Sequence, residues 1–445
     1  MNPQCRVIGY EITKFIEVTN EFILKKCILA QRKKLSFIYN IGIFITHFIL
    51  KCGAIFNKKI KKGVLGRKNT FKTLKSSINK DDRTLWFHCA SLGEYEQGLP
   101  VFKELRKHYN NHKIVLSFFS PSGYEIRKNS PVADVIVYLP LDTKKNAIQF
   151  LNILNPELTV FVKYDIWPNF LNELKHRQLK AILISAVFRE NQSYFKFYGK
   201  QLKKALFAFE HIFTQNEASK QLLESINYNQ VTVSGDTRFD RVYGQLKLDN
   251  TLDFIEDFKD GKLCIVAGST WPEDDTLLIN FINSDASKDL KFIIAPHNIK
   301  SSQINNIRKN IKHEVILFSE KDTKQAFEAK IFIIDTIGLL SKIYNYSDIA
   351  YVGGALGTTG LHNTLEPAVF GVPVIIGTNY QKFPEAKAMI NNGGMFSISN
   401  QKEFNRTLKE LVNNKEMRLS CGEKNHQFIK NNKGAVIQIV KYLRI

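Results

Sequence analysis

The chain has 445 residues, of which 44% are hydrophobic and 24% charged, so it is long enough for two folded domains and is not composed like a disordered protein. Its formal net charge is +21, from 63 basic and 42 acidic residues, which indicates an anionic partner. No zinc-finger, RNP-type or helix-turn-helix signature accompanies this charge, so a membrane surface is favoured over nucleic acid. The six cysteines are scattered and form no CxxC pair, which argues against a zinc site or a disulfide framework and fits a reducing compartment.

The N-terminal region contains the candidate membrane segment. Residues 1–34 are basic, and the sequence assigns them no role. Residues 35–56 are mostly apolar, and as a helix these 22 residues would extend about 33 Å, against roughly 30 Å of bilayer hydrocarbon. Polar residues within the segment, Asn40 among them, leave three interpretations open: a spanning helix, a helix in the membrane interface, and a buried core helix. We expect residues 35–60 to attach the chain to a membrane.

From residue 84 onward, short apolar segments alternate with helical stretches. β-Branched runs separated by helices predict parallel sheets that are covered by helices on both faces. The predicted strands are 85–90, 113–118, 135–138, 158–162, 181–184 and 211–214 in a first series, and 263–267, 292–295, 331–334, 349–352 and 374–376 in a second. The polar stretch 244–261 is the predicted linker. Residues 61–243 and 262–445 would then form two doubly wound domains, with a ligand cleft between the carboxyl ends of their strands.

The sharpest motif of the first half follows its first predicted strand. Ser91, Gly93 and Glu94 come directly after that strand, and we expect Gly93 to permit a tight turn that presents Glu94 at the mouth of the cleft. A carboxylate there can take a proton from an incoming hydroxyl, as a general base does. The alternative is that Glu94 is a first-turn helix residue favoured by the macrodipole. Glu96 is the rival carboxylate.

Two further turns follow predicted strands of the first half. Ser122 and Gly123 lie in a Ser-Pro-Ser-Gly turn, which suits substrate binding and equally suits a plain turn. Trp167 and Pro168 follow the fourth strand. An aromatic wall with polar neighbours suits a sugar, but packing of Trp167 in the core is an equal alternative.

Polar residues also follow strands of the second half. Ser269 and Thr270 lie at a strand end, where N–H and hydroxyl groups can hold phosphate oxygens. The acidic run 273–275 is compatible with a metal, but it is more typical of a solvated helix start. His297 follows another strand and can face a nucleotide.

A glycine-rich run, 353–360, is the most informative feature of the chain. It leads into a predicted helix with Asn363 as N-cap, Glu366 in capping-box register and an end at Gly371. A helix N-terminus behind a glycine-rich turn is an anion site suited to a phosphate. The second half is therefore predicted to be a nucleotide-handling α/β domain.

Taken in order, these motifs resemble those of the transferases of 3-deoxy-D-manno-oct-2-ulosonic acid (Kdo) in lipopolysaccharide assembly. The resemblance runs from about residue 35 to the C-terminus. The family's S-x-G-E motif corresponds to Ser91, Gly93 and Glu94, its T-P-x-G to Ser-Pro-Ser-Gly at 120–123, and its L-W-P-N to Ile-Trp-Pro-Asn at 166–169. Its G-N-x-K-F-D is similar to Gly-Asp-Thr-Arg-Phe-Asp at 235–240, and its S-T-x-x-x-E-[DE] to Ser269-Thr270 with Glu273-Asp274 nearby. Its V-G-G…G-G-H-N-P-L-E-P corresponds to Val-Gly-Gly at 352–354 and Gly-Leu-His-Asn-Thr-Leu-Glu-Pro at 360–367.

The resemblance implies an α/β fold of the GT-B type, with two Rossmann-like domains facing a cleft and an N-terminal hydrophobic membrane-anchoring helix. It implies inverting transfer of Kdo from CMP-Kdo to a lipid A precursor at the cytoplasmic side of the inner membrane, with no metal, cofactor or nucleic acid. It carries the role of base onto Glu94. It carries CMP binding onto Ser269, Thr270, His297, Gly354, Gly360, His362, Asn363 and Glu366, and the acceptor side of the cleft onto Ser91, Gly93, Ser122, Gly123, Trp167 and Arg189.

The sequence departs from the family pattern at three places. Lys163 stands where the family has an acidic residue four positions before the tryptophan, and 296–298 lacks the arginine of the family's P-R-H. The family's N-A-R-x-S motif falls on 185–189, where Arg189 stands in for a later arginine and the earlier one is absent. Two alternatives stay open: a transferase or epimerase of the same fold that uses a UDP-sugar, and a membrane-tethered binding protein that has lost catalysis.

Overall fold

The computed structural model describes residues 39–322 and 326–444, which divide by their contacts into two compact units. Unit 1 contains the described residues up to Thr237 and those from Ala435 onward. Unit 2 is Arg238–Gly434. The last helix of the chain therefore belongs to the unit that the first half of the sequence forms.

The elements alternate along the chain as the β-branched runs predict. The first half contains α1 (Tyr39–Phe56), α2 (Lys58–Ser77), β1 (Thr84–Cys89), α3 (Leu92–His108), β2 (Lys113–Phe118), α4 (Pro121–Arg127), β3 (Val135–Tyr138), α5 (Lys144–Leu154), β4 (Leu158–Val162), α6 (Pro168–His176), β5 (Lys180–Ala186), α7 (Lys200–Leu206), β6 (His211–Thr214), α8 (Glu217–Glu224) and β7 (Val231–Val233). The second half contains α9 (Thr237–Gln245), α10 (Asp253–Lys259), β8 (Leu263–Thr270), α11 (Pro272–Ile282), β9 (Leu290–Pro296), α12 (Ser301–Asn310), β10 (Val315–Leu317), β11 (Ile331–Ile333), α13 (Leu340–Ile343), β12 (Ile349–Val352), α14 (Leu365–Ala368), β13 (Val374–Ile376), α15 (Pro384–Asn391), β14 (Met395–Ser397), α16 (Gln401–Asn413), α17 (Lys415–Asn432) and α18 (Ala435–Leu443).

Seven parallel strands form the sheet in the described part of unit 1, in the order β3-β2-β1-β4-β5-β6-β7. The central strands are buried on both faces, which explains their continuous apolar sequence. On one face, the ring of Trp86 lies 4.9 Å from that of Phe150 and 5.6 Å from that of Phe170. On the other face, Phe87 stacks on Phe102 of α3 at 4.4 Å. The strand order reverses between β1 and β4, and such a reversal leaves a crevice at their carboxyl ends.

The sheet in the described part of unit 2 also has seven parallel strands, in the order β10-β11-β9-β8-β12-β13-β14. One face packs against Leu278 of α11 and Phe404 of α16. The other face packs against Met389 of α15 and Ile429 of α17. The strand order reverses here between β8 and β12, so unit 2 has the same kind of crevice at the ends of those two strands.

The structure differs from the sequence expectations in two respects. The predicted linker, 244–261, contains α10, whose Ile255 and Phe258 are fully buried in the core of unit 2, and the contacts divide the chain at Thr237 instead. Among the strands of the described residues, the sequence did not predict β7, β10 and β14, and each of these lies at an edge of its sheet.

Helix α1 is the one helix in the described ranges that is long and apolar enough to cross a membrane, judged by length and composition alone. None of its 18-residue window is buried, and the side chains of Phe44 and Phe48 are 73% and 64% exposed. The interpretation of this segment as a buried core helix is therefore wrong. The basic stretch 1–34 and the first residues of the predicted segment, 35–38, lie outside the described residues.

The first turn of α1 is hydrogen-bonded to the body of unit 1. The Tyr39 hydroxyl donates to Asp142 Oδ2 at 2.7 Å, and Asn169 Nδ2 donates to Asn40 Oδ1 at 3.1 Å. The Asp142 carboxylate is fully buried and also accepts the amides of Asn169 and Phe170 at the start of α6. One carboxylate therefore links the apolar helix to the segment that follows β4.

Asn425 provides a test of how α17 is held against the sheet of unit 2. Its buried Nδ2 donates to the carbonyls of Val372 (2.8 Å) and Gly394 (2.7 Å). We expect Asn425→Ala to lower the free energy of unfolding by roughly 2 to 4 kcal/mol, because two buried carbonyls each lose a hydrogen bond. Urea unfolding followed by circular dichroism measures the change. The matched control is Asn431→Ala on the exposed face of α17, and equal midpoints for the two variants would contradict this account.

Candidate active site

Glu94 lies in the first turn of α3, directly beyond the carboxyl end of β1. Its Oε2 accepts the backbone amide of Ser91 at 3.0 Å, so the carboxylate is fixed at the helix start as the first-turn interpretation expects. The side chain is nevertheless only 7% exposed. A helix-start carboxylate that serves only the macrodipole is normally solvated. The burial therefore distinguishes Glu94 from an ordinary first-turn acid.

The surroundings of Glu94 raise its pKa and thereby favour its protonated form. The pKa of Glu94 is raised to about 7, first by burial and then by the negative charge of Asp165. His88 and Lys163 act in the opposite direction and lower it. A carboxyl group with such a pKa can both accept and release a proton near neutral pH, which suits a general base.

Lys163 and Asp165 follow β4, the strand next to β1. Lys163 has φ +70°, a left-handed conformation that is unusual for a residue with a side chain. Asp165 Oδ2 lies 2.6 Å from Nε2 of His88, and His88 is completely buried within β1. Sequence patterns predicted no role for either Asp165 or His88.

Trp167 combines the two interpretations that its sequence left open. It precedes α6 as the N-cap residue and is half-buried, with its ring 4.7 Å from that of Phe119. Its Nε1 lies 3.0 Å from Nε2 of His88. The indole thus packs partly in the core and also contacts the polar group beneath Glu94.

The Ser-Pro-Ser-Gly turn forms the start of α4. Ser120 Oγ accepts the amide of Ser122 at 3.3 Å and lies 2.9 Å from its hydroxyl. A Cβ on Gly123 would lie 2.3 Å from the ring of Phe118 and 3.2 Å from the amide nitrogen of Leu92. Glycine is therefore needed here because the start of α4 lies against the ring of Phe118 and close to the start of α3.

Gly93 and Arg189 do not have the settings that the sequence suggested. Gly93 is part of helix α3, and no heavy atom lies within 4 Å of the place that its Cβ would occupy. The expectation of a tight turn at Gly93 is therefore wrong, and the glycine leaves open space next to Glu94. Arg189 is exposed in the segment after β5, where its backbone amide donates to Gln192 Oε1 at 2.9 Å.

In unit 2, the residues after β8 and β9 meet at three rings. His297 stacks on Trp271 with centroids 4.7 Å apart and lies 4.3 Å from the ring of His362. The amide of His297 donates to the carbonyl of Thr270 at 2.9 Å, and Trp271 Nε1 donates to His362 Nε2 at 3.1 Å. The pKa of His362 is lowered to about 4 by burial and by His297, so its ring is neutral at pH 7 and carries its proton on Nδ1.

Two residues at the end of β8 play different parts. Ser269 has φ +55° and is partly exposed, whereas Thr270 is completely buried. Only the serine side chain can reach a ligand directly. Thr270 holds His297 through its carbonyl instead.

The glycine-rich run after β12 is folded largely upon itself. The amide of Gly354 donates to Asp274 Oδ2, the amide of Gly360 donates to the carbonyl of Gly354, and the amide of His362 donates to the carbonyl of Gly353. Gly354 and Gly360 have φ of +94° and +99°, and a Cβ on Gly354 would lie 2.2 Å from the carbonyl oxygen of Gly360. At Gly354, glycine is therefore required by the close approach of the loop's own backbone.

The helix after this run is shorter than predicted, and its cap lies one residue later. α14 is a single turn, Leu365–Ala368, with Thr364 as N-cap. Asn363 Oδ1 accepts the amide of Leu365 at 3.2 Å, and Asn363 Nδ2 donates to Glu366 Oε1 at 3.0 Å. The predicted capping box with Asn363 as N-cap is therefore wrong. A helix of one turn has a small dipole, so phosphate binding by its N-terminus alone is not supported.

Glu366 is held by three side chains. It accepts from Asn363 Nδ2, from Arg241 Nη1 at 3.3 Å and from Ser341 Oγ at 3.1 Å. Its charge is thereby partly neutralised, and its carboxylate is fixed in direction. The carboxylate remains suited to accepting a hydroxyl donor.

Two members of the acidic run 273–275 are structural. Asp274 is completely buried and accepts from the amides of Trp271 and Gly354 and from the hydroxyl of Tyr351. Asp275 is also buried and accepts from Gln303 Nε2 at 2.7 Å. Only Glu273 is exposed, so the expectation of a solvated helix start holds for that residue alone. Among the described residues, no group of three or more His, Cys, Asp or Glu side chains is arranged to hold a metal ion.

Apart from Arg189, the predicted site residues thus form one group in each unit. In unit 1, the starts of α3, α4 and α6 bring together Ser91, Gly93, Glu94, Ser122, Gly123 and Trp167. In unit 2, the ends of β8, β9 and β12 bring together Ser269, Thr270, His297, Gly354, Gly360, His362, Asn363 and Glu366.

The chain is similar to known transferases over most of its length. A family model described as 3-deoxy-D-manno-octulosonic-acid transferase (kdotransferase) matches residues 65–241, which contain the site of unit 1. A 3-deoxy-D-manno-octulosonic acid transferase of Haemophilus influenzae is 25% identical over 373 residues, which cover 81% of this chain and 86% of that protein. A bifunctional glycosyltransferase/methyltransferase of Fusobacterium nucleatum is 27% identical over 381 residues, and these cover 81% of this chain but 57% of that longer protein.

Similarity to solved structures identifies the fold of the chain. The UDP-GlcNAc 2-epimerase of Methanocaldococcus jannaschii matches with a TM-score of 0.52 at 14% identity, over 81% of this chain and 99% of that one. At this identity the likeness concerns the fold and not the substrate. The predicted fold class, α/β with two Rossmann-like units of the GT-B type, is confirmed.

Two glycines of α3 test whether the space next to Glu94 is open. A Cβ on Gly98 would lie 2.5 Å from the buried ring of Phe102, whereas Gly93 faces open space. We expect Gly98→Ala to lower the free energy of unfolding by about 1 to 3 kcal/mol through overpacking. Gly93→Ala is expected to be neutral or to stabilise by up to about 1 kcal/mol, because alanine favours helix. Equal losses in thermal unfolding would show that the space at Gly93 is filled by protein.

Proposed function

We propose that the chain transfers Kdo from CMP-Kdo to a lipid A precursor in lipopolysaccharide biosynthesis, with inversion at the anomeric carbon. The match of a Kdo transferase family model to residues 65–241 and the similarity to Kdo transferases over most of the chain support this proposal. One observation carries it beyond that similarity. Glu94 is a buried carboxylate at the carboxyl end of β1, next in the chain to the exposed Gly93, with its pKa raised to about 7. Inverting transfer requires a base of this kind beneath the acceptor hydroxyl.

In the proposed step, Glu94 takes the proton of an acceptor hydroxyl while that oxygen forms a bond to the anomeric carbon of Kdo. The bond from the same carbon to the CMP phosphate oxygen breaks on the opposite face. CMP leaves as a monoester that carries more negative charge than it had in the donor. Catalysis then depends on Glu94 being ionised on one side and on hydrogen-bond donors at the departing phosphate on the other.

The residues of unit 2 suit the donor. The Ser269 hydroxyl and the Nδ1–H of the neutral His362 are donors of the kind that a phosphate requires. His297 presents an exposed ring beside them, and the fixed Glu366 carboxylate can accept from a ribose hydroxyl. We assign donor binding to these four residues. Thr270, Gly354, Gly360 and Asn363 keep them in place.

The N-terminal helices suit an acceptor that resides in a membrane. The exposed apolar surface of α1 is followed directly by the lysine-rich first turns of α2, in which Lys58, Lys59, Lys61 and Lys62 are all exposed. Apolar side chains can enter the bilayer, and the lysines can contact lipid phosphates at its surface. We propose that α1 attaches the enzyme to the inner membrane with both units on the cytoplasmic side, where a phosphorylated glycolipid acceptor is accessible.

Mass spectrometry of reaction products tests this function directly. The full-length chain in detergent is incubated with a lipid A precursor and either CMP-Kdo or a UDP-sugar. We expect the acceptor to gain Kdo only with CMP-Kdo, with release of CMP. Transfer from the UDP-sugar alone would favour the alternative glycosyltransferase. CMP-Kdo binding without transfer would favour the alternative of a binding protein.

Glu94 and Glu96 form a matched pair for testing the base. Glu96 lies in the same helix, but its carboxylate accepts from Arg127 Nη2 at 2.6 Å. We expect Glu94→Gln to lower kcat at least about a hundredfold, because general-base catalysis contributes that much, while CMP binding by unit 2 is unchanged. Glu96→Gln is expected to stay within about threefold of wild type. Product formation and calorimetry with CMP measure the two effects, and unchanged kcat in Glu94→Gln would remove Glu94 from the mechanism.

Membrane attachment is tested by placing charges on α1. Phe44→Lys and Phe48→Lys put charges on its exposed apolar surface, and we expect the double variant to bind vesicles of anionic lipid at least about tenfold more weakly. Vesicle flotation measures the bound fraction. The control is Ile437→Lys, at an exposed apolar position of α18. Undiminished flotation of the α1 variant would place the attachment elsewhere in the chain.

A further inference from the structure

A buried histidine and a carboxylate lie together beneath the candidate base. Asp165 Oδ2 is 2.6 Å from His88 Nε2, and the two side chains are 12% and 0% exposed. Asp165 Oδ2 is buried and has no hydrogen-bond partner within the part of the chain that the structure describes, so its close contact with His88 is an electrostatic one. The carboxylate therefore depends on the ring as its polar neighbour.

The ring of His88 is held in one orientation. Its Nδ1 lies 2.8 Å from Ser117 Oγ, and that hydroxyl in turn accepts from Trp86 Nε1 at 2.7 Å. The indole Nε1–H of Trp167 donates to Nε2, the same ring nitrogen that Asp165 approaches. Ser117 and Trp86 are both completely buried. A buried polar group that lacks a hydrogen-bond partner destabilises the fold, so the network holds the His88 ring in one position. The Asp165 carboxylate that contacts this ring is thereby held as well.

The pair belongs to the two strands that flank the reversal of strand order in unit 1. His88 lies opposite Phe161 in the pairing of β1 with β4, and Asp165 follows β4 by three residues. Glu94 follows the end of β1, so both members of the pair lie near it and both affect its protonation. The reversal of strand order thus brings a base and a second acid to the same edge.

We propose that His88 and Asp165 are positioning residues which set the charge state of Glu94 from the neighbouring strand. This inference rests on the proposed role of Glu94 as the base. Neither residue needs to touch substrate. Their effect is exerted through the charge that the pair places beside Glu94.

The charged groups around Glu94 determine the sign of the effect. His88 and Cys89 face it from β1, Lys163 and Asp165 face it from the segment after β4, and Glu96 on its own helix is paired with Arg127. An anionic neighbour makes ionisation of Glu94 harder, and a cationic neighbour makes it easier. Removal of Asp165 therefore lowers the pKa of Glu94, and removal of Lys163 raises it.

The pH dependence of kcat/KM tests the proposal on the full-length enzyme in detergent. The wild-type rate is expected to rise with pH through about 7, because only the ionised Glu94 accepts a proton. Asp165→Asn is expected to shift this rise, the acid limb of the pH profile, to lower pH by about 0.5 to 1 unit. Lys163→Gln is expected to shift it to higher pH by a similar amount. Asp165→Glu should restore the wild-type position. The control is Lys103→Gln, at an exposed position of α3 remote from the helix start, and it should not move the limb.

A second measurement separates this inference from the proposed function. The ¹³C resonance of the Glu94 carboxyl, assigned by its loss in Glu94→Gln, is titrated without substrate in the same variants. Opposite shifts in Asp165→Asn and Lys163→Gln support the pair even if no Kdo is transferred, in which case only the proposed function fails. If transfer occurs but Asp165→Asn moves neither the limb nor the titration, or if both variants move them in the same direction, the inference is overturned.

Discussion

The reversal of strand order in each sheet is the constraint on which the rest of this structure depends. In unit 1 the helices that follow β1 and β4 pack on opposite faces, with Phe102 of α3 on one and Phe170 of α6 on the other. The chain segments leaving the two strands therefore diverge, and the strand ends between them stay uncovered. Unit 2 repeats the arrangement at β8 and β12. Within each unit, the topology brings together the polar residues that follow its two strands.

Three of the eight non-glycine residues with positive φ in the described part of the chain lie at or just after the end of a strand. Lys163 follows β4, Ser185 is near the end of β5 and Ser269 is near the end of β8, and all three have positive φ. A residue with a side chain in this conformation costs of order 1 kcal/mol or more and persists only where its surroundings hold it there. Ser185 illustrates this, since its buried hydroxyl lies 2.6 Å from that of Thr237. Lys163 and Ser269 adjoin Glu94 and His297, so the strain lies where the residues proposed for catalysis and donor binding are presented.

Much of the fold could be predicted from the sequence because the interior strands are buried on both faces and are therefore written as continuous apolar runs. The edge strands β7, β10 and β14 were missed because each has only three residues and depends on a single neighbour for pairing. The sequence predicted the motifs of the candidate site at the ends of strands, but it did not predict which side chains contact each other there. His88 and Asp165 are 77 positions apart (165 − 88), and their contact follows from the adjacency of β1 and β4, which no local pattern encodes. The prediction of a tight turn at Gly93 was wrong for a different reason. A glycine in the first turn of a helix has the same sequence signature as a glycine in a tight turn.

Lys163 affects the ionisation of Glu94. A cation beside a buried carboxylate eases its ionisation, and taken alone Lys163 would hold Glu94 charged well below neutral pH, where a carboxylate is a weak base. Asp165, two residues later and bound to His88, opposes it with a negative charge from the same segment. Burial then raises the proton affinity of Glu94 into the range in which it is both ionised and basic. The departure from the family pattern at Lys163 is thus compatible with catalysis, provided that Asp165 remains in place.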